Sequence, residues 1–248
     1  MSVVASDLRS PPFPRSLGLA ILVAACVAIT GALMAADHPQ QEWLWLHWLG
    51  KPLTTAMIFM LAWRGRPAQS PRYRSWILVG IACSLVGDVL LMLPGDLFVP
   101  GLLAFLCGHL CFTAAFVGDG RFGARPWWLL GTLAYGAVNL GLLWDSIAVP
   151  LRVAVLVYVV VLASMGGQAL ARASRLAQRG DAQAAAARLA AYGALMFMLS
   201  DSLLAWKRFH GPIPWASLWV LSAYYLALWW IARSVQRVDS SAEPEAAT

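Results

Sequence analysis

Apolar runs of roughly 20 residues follow one another along the chain, each closed by a short stretch rich in Pro, Gly, Arg, Asp or Ser. A helix that crosses a bilayer needs about 20 mostly apolar residues at ~1.5 Å rise each. Eight segments meet that need: Ser16–Ala36, Leu44–Trp63, Ser75–Leu93, Phe98–Phe116, Pro126–Trp144, Val149–Leu170, Leu189–Trp206 and Ala216–Ser234. The pattern therefore predicts an all-α, polytopic membrane protein of eight transmembrane helices, forming one domain over residues 16–234. Residues 1–15 and 235–248 lack an apolar period and are rich in Pro, Ser, Ala or Glu, so they are expected as disordered tails. The first span follows Arg9 and Arg15 as a signal sequence would, but no A-x-A site follows it, and it reads as an anchor.

Composition agrees with the pattern. The chain is 60% hydrophobic and 12% charged, with a mean hydropathy of +0.67. That is more apolar side chain than a water-soluble core of this size buries, and the surplus must face lipid. A net charge of +6 in a soluble protein would suggest a nucleic-acid partner; here the arginines stand in loops beside apolar runs, as topology requires, and none is expected. Cys26, Cys83, Cys107 and Cys111 all fall inside predicted spans and read as small packing residues.

Lysine and arginine are retained on the cytoplasmic side during insertion. The N-terminal tail, the second, fourth and sixth loops and the C-terminal end of the chain (Arg233 and Arg237) hold 2, 4, 2, 4 and 2 of them, opposed by Arg152, Lys207 and Arg208. Both termini are thus expected in the cytoplasm, in a bacterial inner membrane. A short internal repeat supports this layout. Pro52-Leu53 in the second span is matched by Pro150-Leu151 in the sixth, and Asp88-Val89-Leu90-Leu91 in the third by Asp201-Ser202-Leu203-Leu204 in the seventh. Two parallel four-helix halves would produce such spacing.

The residues that break the apolar pattern carry the chemistry. An ionisable side chain at mid-span costs about 2.5–3.5 kcal/mol on insertion scales, so one that persists has a partner or a task. Lys51, Asp88, His109 and Asp201 are such residues. Counting ~1.5 Å per residue, Asp88 and Asp201 lie about 20 and 18 Å from the cytoplasmic ends of their helices, and Lys51 about 10 Å from the outer end of its own. All three meet in the outer half of the bilayer, with His109 and Tyr224 near the midplane. A single ion pair would serve structure alone. A second carboxylate beside it is what general acid and base chemistry uses, because like charges in low dielectric keep one acid protonated.

Other motifs are weaker. In Cys107-x-His109-x-Cys111 the two thiols share a helix face from which His109 points away, so no metal is expected. Leu85 stands where a GxGD-type protease would need glycine, and no Gly-x-Ser-x-Gly elbow, P-loop or Rossmann fingerprint occurs. Gly166-Gly167 reads as a close helix contact.

The polar motifs, taken in order, are Lys51-Pro52-Leu53-Thr54-Thr55, Ser84-Leu85-Val86-Gly87-Asp88-Val89-Leu90-Leu91, Phe105-Leu106-Cys107-Gly108-His109, Leu199-Ser200-Asp201-Ser202-Leu203-Leu204-Ala205-Trp206 and Tyr224-Tyr225-Leu226-Ala227. This series resembles the YhhN-like lysoplasmalogenases, eight-helix membrane enzymes that hydrolyse the vinyl ether bond of lysoplasmalogens. The resemblance runs from about residue 51 to 231, and departs from the pattern at Cys111-Phe112 and Leu228. It implies a lysophospholipid substrate, a fatty aldehyde product and no cofactor. It also implies catalytic roles for Asp88, Asp201, Lys51 and His109, and substrate contacts from Tyr224, Ser200, Thr54 and Lys207, with Lys207 and Arg208 near the phosphate. From the residues alone, a proton-coupled transporter or a non-catalytic lipid-binding protein is also open. Oligomeric state leaves no trace in the sequence.

Overall fold

The structure, a computed structural model, describes residues 15–37 and 43–237. Within them the chain forms eight α-helices: α1 (Arg15–Asp37), α2 (Leu44–Arg64), α3 (Pro71–Met92), α4 (Phe98–Val117), α5 (Pro126–Leu143), α6 (Val149–Gln178), α7 (Ala184–Phe209) and α8 (Ala216–Arg233). No strand is present among the described residues, and a 3₁₀ turn, Trp144–Ser146, links α5 to α6. The tail expectations for residues 1–14 and 238–248 lie outside the described residues.

Helix boundaries follow local chemistry. Helix α3 starts four residues before the expected Ser75, because Ser70 caps it: its Oγ accepts from the Tyr73 amide at 3.0 Å, and Pro71 takes the first helical position. Helix α6 runs eight residues past the expected Leu170, since Ala171–Gln178 is built of strong helix formers. Proline opens α5 and α6 in the same way. In α2, Pro52 lies inside the helix and removes the bond that the Trp48 carbonyl would receive, loosening the turn beside Lys51.

Neighbouring helices pack in a ring. Helix α1 packs on α2, α2 on α3, α3 on α4, α4 on α6, α6 on α7 and α7 on α8, and α8 closes back on α1 and α2. Helix α5 stands outside this ring, against α6, and meets α7 only at its edge.

Small residues set the closest approaches. A Cβ on Gly80 would stand 2.3 Å from the Phe112 ring, one on Gly87 2.6 Å from the Phe105 ring, and one on Gly108 3.0 Å from the Gly80 carbonyl. The glycines beside Asp88 and His109 thus let α3 and α4 lie backbone to backbone. A Cβ on Gly193 would meet the Ala227 carbonyl at 2.7 Å, so α7 and α8 also lie close, and Ala187, Ala190 and Ala194 of α7 are buried. Gly167 approaches Leu129 in the same manner, the helix contact expected of Gly166-Gly167.

The outside of the bundle is apolar: Leu19, Leu49, Leu130, Leu142, Val149 and Val153 are among the exposed side chains. Helices α1, α3, α4, α6 and α7 are each long and apolar enough to cross a membrane. Helices α2, α5 and α8 are richer in Trp, Tyr, Gly and polar residues. Cys107 and Cys26 are exposed on this apolar surface and all four cysteines are free.

Candidate active site

Asp88, in the second half of α3, has no solvent exposure. Three groups from two other helices converge on it. Lys51 of α2 brings Nζ to 3.0 Å from Oδ1. Thr55, one turn further along α2, donates to Oδ2 at 2.7 Å, and Tyr224 of α8 donates to the same oxygen at 2.7 Å. The Lys51 ammonium also stands 5.9 Å from the centre of the Tyr224 ring. A cation and two hydroxyl donors on one buried carboxyl group are the surroundings of an ionised carboxylate, which would otherwise be too costly to bury.

Asp201 of α7 sits differently. Tyr158 of α6 donates to its Oδ2 at 2.5 Å. His109 of α4 places Nε2 3.9 Å from the same oxygen, outside hydrogen-bond reach, and both its ring nitrogens are without partners among the described residues. The imidazole is held edge-on by Phe197 at 4.6 Å and Tyr158 at 5.2 Å between ring centres. No described group bonds Oδ1 of Asp201, and the side chain keeps 13% exposure.

Both carboxyl groups line one cavity, together with Lys51, Tyr158, Ser200 and Tyr224. Its free space, counted out through its open mouth, is about 1090 Å³. Its remaining walls are mostly apolar, with Leu91 from α3, Phe98 and Leu102 from α4, Leu143 from α5, Val155 and Leu162 from α6 and Leu221 from α8, broken by Tyr135, Asn139 and Ser202. Helix α5 closes the side facing outward through two polar ties to α7: Tyr135 donates to Ser202 Oγ at 3.0 Å, and Trp206 Nε1 donates to Asn139 Oδ1 at 3.0 Å.

Most residues singled out in the sequence come together here, and three stand apart. His109 lies behind Asp201 rather than on the cavity wall. Thr54 bonds the Gly50 carbonyl of its own helix at 2.7 Å and does not reach the cavity, because one residue's rotation along α2 turns it away and brings Thr55 to Asp88. Lys207 is exposed at the end of α7 and off the wall; its neighbour Arg208 pairs with Asp96 at 3.4 Å and stands 5.1 Å over Phe98 at the cavity's edge. Ser200 lines the cavity while its hydroxyl donates to the Val220 carbonyl at 3.0 Å. Thr55 and Tyr158 were not legible beforehand, since neither type is unusual in a membrane helix.

The sequence pattern of the YhhN family matches residues 46–235, the span that holds every one of these side chains. The chain belongs to the YhhN family. It is 31% identical over 199 residues to human "Lysoplasmalogenase TMEM86B", covering 80% of this chain and 79% of that protein. Bovine "Lysoplasmalogenase TMEM86A" is 31% identical over 159 residues, 64% of each chain. "Uncharacterized membrane protein YhhN" of Escherichia coli O157:H7 is 29% identical over 128 residues, 50% of this chain and 58% of that protein. No solved structure gives a significant match. Together with the apolar helices, this makes the chain an integral membrane protein. Of the residues at which the sequence resemblance is interrupted, Phe112 and Leu228 are fully buried, Cys111 is half-buried, and none lines the cavity.

Proposed function

We propose that this YhhN-family chain is a lysoplasmalogenase that hydrolyses the vinyl ether bond of lysoplasmenylethanolamine or lysoplasmenylcholine. The products are a fatty aldehyde and glycerophosphoethanolamine or glycerophosphocholine. The observation that carries the reading is one apolar cavity lined by two carboxyl groups in unlike surroundings, in a chain related to proteins named lysoplasmalogenase. An apolar wall suits a single hydrocarbon tail, and two carboxyl groups suit the acid and base of the reaction.

Hydrolysis of a vinyl ether begins with proton transfer to the β-carbon, whose π electrons form the new C–H bond. Asp201 is the proton donor in this proposal, its carboxyl group on the cavity wall with Oδ2 held by Tyr158. The adjoining carbon becomes an oxocarbenium ion, and the Asp88 carboxylate, fixed by Lys51, Thr55 and Tyr224, stabilises that charge. The Asp201 carboxylate then takes a proton from water as its oxygen adds to the cation. The resulting hemiacetal loses its hydroxyl proton, breaks its C–O bond to the glycerol oxygen, and that oxygen is protonated. His109 faces Asp201 from the side away from the cavity, its Nε2 3.9 Å from Oδ2, and packs against the Tyr158 ring that holds the carboxyl group. Ser200 and Tyr224 flank the reacting group, and the head group lies toward Arg208, which stands 5.1 Å over the cavity-lining Phe98 ring.

The two carboxyl sites also correspond under the proposed repeat. Asp88 receives a hydroxyl from α2 and is faced by a ring of α8; Asp201 receives a hydroxyl from α6 and is faced by a ring of α4. Each aspartate thus meets the second helix of its own half and the fourth helix of the other. The packing of α1 on α2, α2 on α3 and α3 on α4 is repeated by α5 on α6, α6 on α7 and α7 on α8. This supports two parallel four-helix halves with eight crossings; the distribution of Lys and Arg among the loops is what favours both termini in the cytoplasm and the cavity in the outer half of the membrane.

The reading is tested by incubating purified protein in detergent with a lysoplasmalogen and measuring aldehyde. Stoichiometric release without any gradient is expected; uptake into proteoliposomes with no aldehyde would identify a transporter instead. In Tyr158→Phe, Asp201 loses its one hydroxyl donor while the ring that supports His109 remains. A fall of about 10-fold in kcat with little change in KM is expected, close to the ~1–2 kcal/mol of one hydrogen bond.

A further inference from the structure

At the end of the bundle remote from the two carboxyl groups lies a second cleft, enclosing about 920 Å³ with its open mouth. It is bounded by the α2–α3 loop and the start of α3, the end of α4, the end of α6 and the start of α7. Its wall includes Arg172, which is only 4% exposed. Nε donates to Asp119 Oδ2 at 2.7 Å, Nη2 donates to Gln69 Oε1 at 2.8 Å, and the guanidinium stands 4.7 Å over the Tyr73 ring. Nη1 is buried and bonds nothing among the described residues. Gln183, whose amide O and N exchange by a half-turn, likewise has a buried amide atom, Oε1, without a partner.

Arg72 and Arg179 stand exposed on the rim, and Arg175 joins the cluster through its ion pair with Asp119. Four arginines, Arg72, Arg172, Arg175 and Arg179, therefore face two acids, Asp119 and Asp181. Retention of the loops in the cytoplasm needs basic residues near the membrane. It does not need one of them sunk between helices, its planar fork already oriented by an acid, an amide and an aromatic ring.

We infer that this cleft binds a phosphate group, with Arg172 at its base and Arg72 and Arg179 closing on it from the rim. Guanidinium groups pair with phosphate through two parallel hydrogen bonds, and a small shift of a pre-aimed fork brings Nη1 to such a partner. The phosphate belongs either to the head group of an anionic lipid or to a soluble phosphate. A bound phosphate would tie the α2–α3 loop to the α6–α7 turn and stabilise the bundle by mass action.

The test is thermal unfolding of the full chain in neutral detergent, with inorganic phosphate titrated against chloride at constant ionic strength. A parallel series uses nanodiscs of phosphatidylcholine with and without phosphatidylglycerol. A saturable rise in midpoint is expected in at least one series. A rise with inorganic phosphate identifies the soluble anion, and a rise with phosphatidylglycerol alone identifies the head group. Arg72→Gln and Arg179→Gln change exposed side chains and are expected to fold normally while needing at least ~10-fold more ligand for the same rise. No saturable rise in either series, or rises unchanged in both variants, would overturn the inference.

Discussion

Asp201→Asn protein is expected to fold, to bind substrate and to release aldehyde at least about 10²-fold more slowly than the parent, within the 10²–10⁴-fold range of a lost general acid. The side-chain amide has the shape of the acid and still accepts from Tyr158 through its carbonyl oxygen. It cannot deliver a proton to carbon, and carbon protonation is the step that limits vinyl ether hydrolysis. The fall should therefore appear in kcat, with KM little changed, because the group acts in the transition state and not in holding the tail. Unfolding midpoints near that of the parent would establish that the lost rate is chemical. Full activity would remove Asp201 from the mechanism.

Lys51→Met should fail for a different reason. Asp88 is fully buried, and without the ammonium at 3.0 Å its charge is answered only by two hydroxyl groups. Breaking a buried ion pair from one side costs about 3–5 kcal/mol, which for a chain of this size lowers the unfolding midpoint by about 10 °C. The double variant Lys51→Met/Asp88→Asn leaves no charge behind and should recover most of that loss, since replacing both members of a buried pair is often near neutral. It should stay inactive. A double variant that is both stable and active would make the pair purely structural.

Lys51, Asp88 and Asp201 were legible because a charge in an apolar run has no cheap place to go, so its position alone signals a partner. Their partners were not. Thr55 and Tyr158 are ordinary helix residues, and only the rotation of α2 and the packing of α6 on α7 bring them to the carboxyl groups. Thr54 shows the limit of such reading: the neighbouring position differs by about 100° around a helix of 3.6 residues per turn, and that decides between bonding its own backbone and reaching Asp88. Helix content was legible from length and apolarity, whereas the place of α5 outside the ring depended on which faces of α4, α6 and α7 meet. The extra turns of α6 were missed because a helix need not stop where the hydrocarbon does.

The position of α5 also bears on how the protein meets its substrate. One wall of the cavity is a seam between α5 and α7, fastened by Tyr135 to Ser202 and Trp206 to Asn139, and Tyr135 is 41% exposed on an otherwise apolar face. If molecules pass there, they come from the plane of the membrane. Turnover would then follow the mole fraction of lysolipid within the bilayer and not its amount per volume of water. Diluting the vesicles at fixed composition would leave the rate per protein unchanged, while adding inert lipid would slow it.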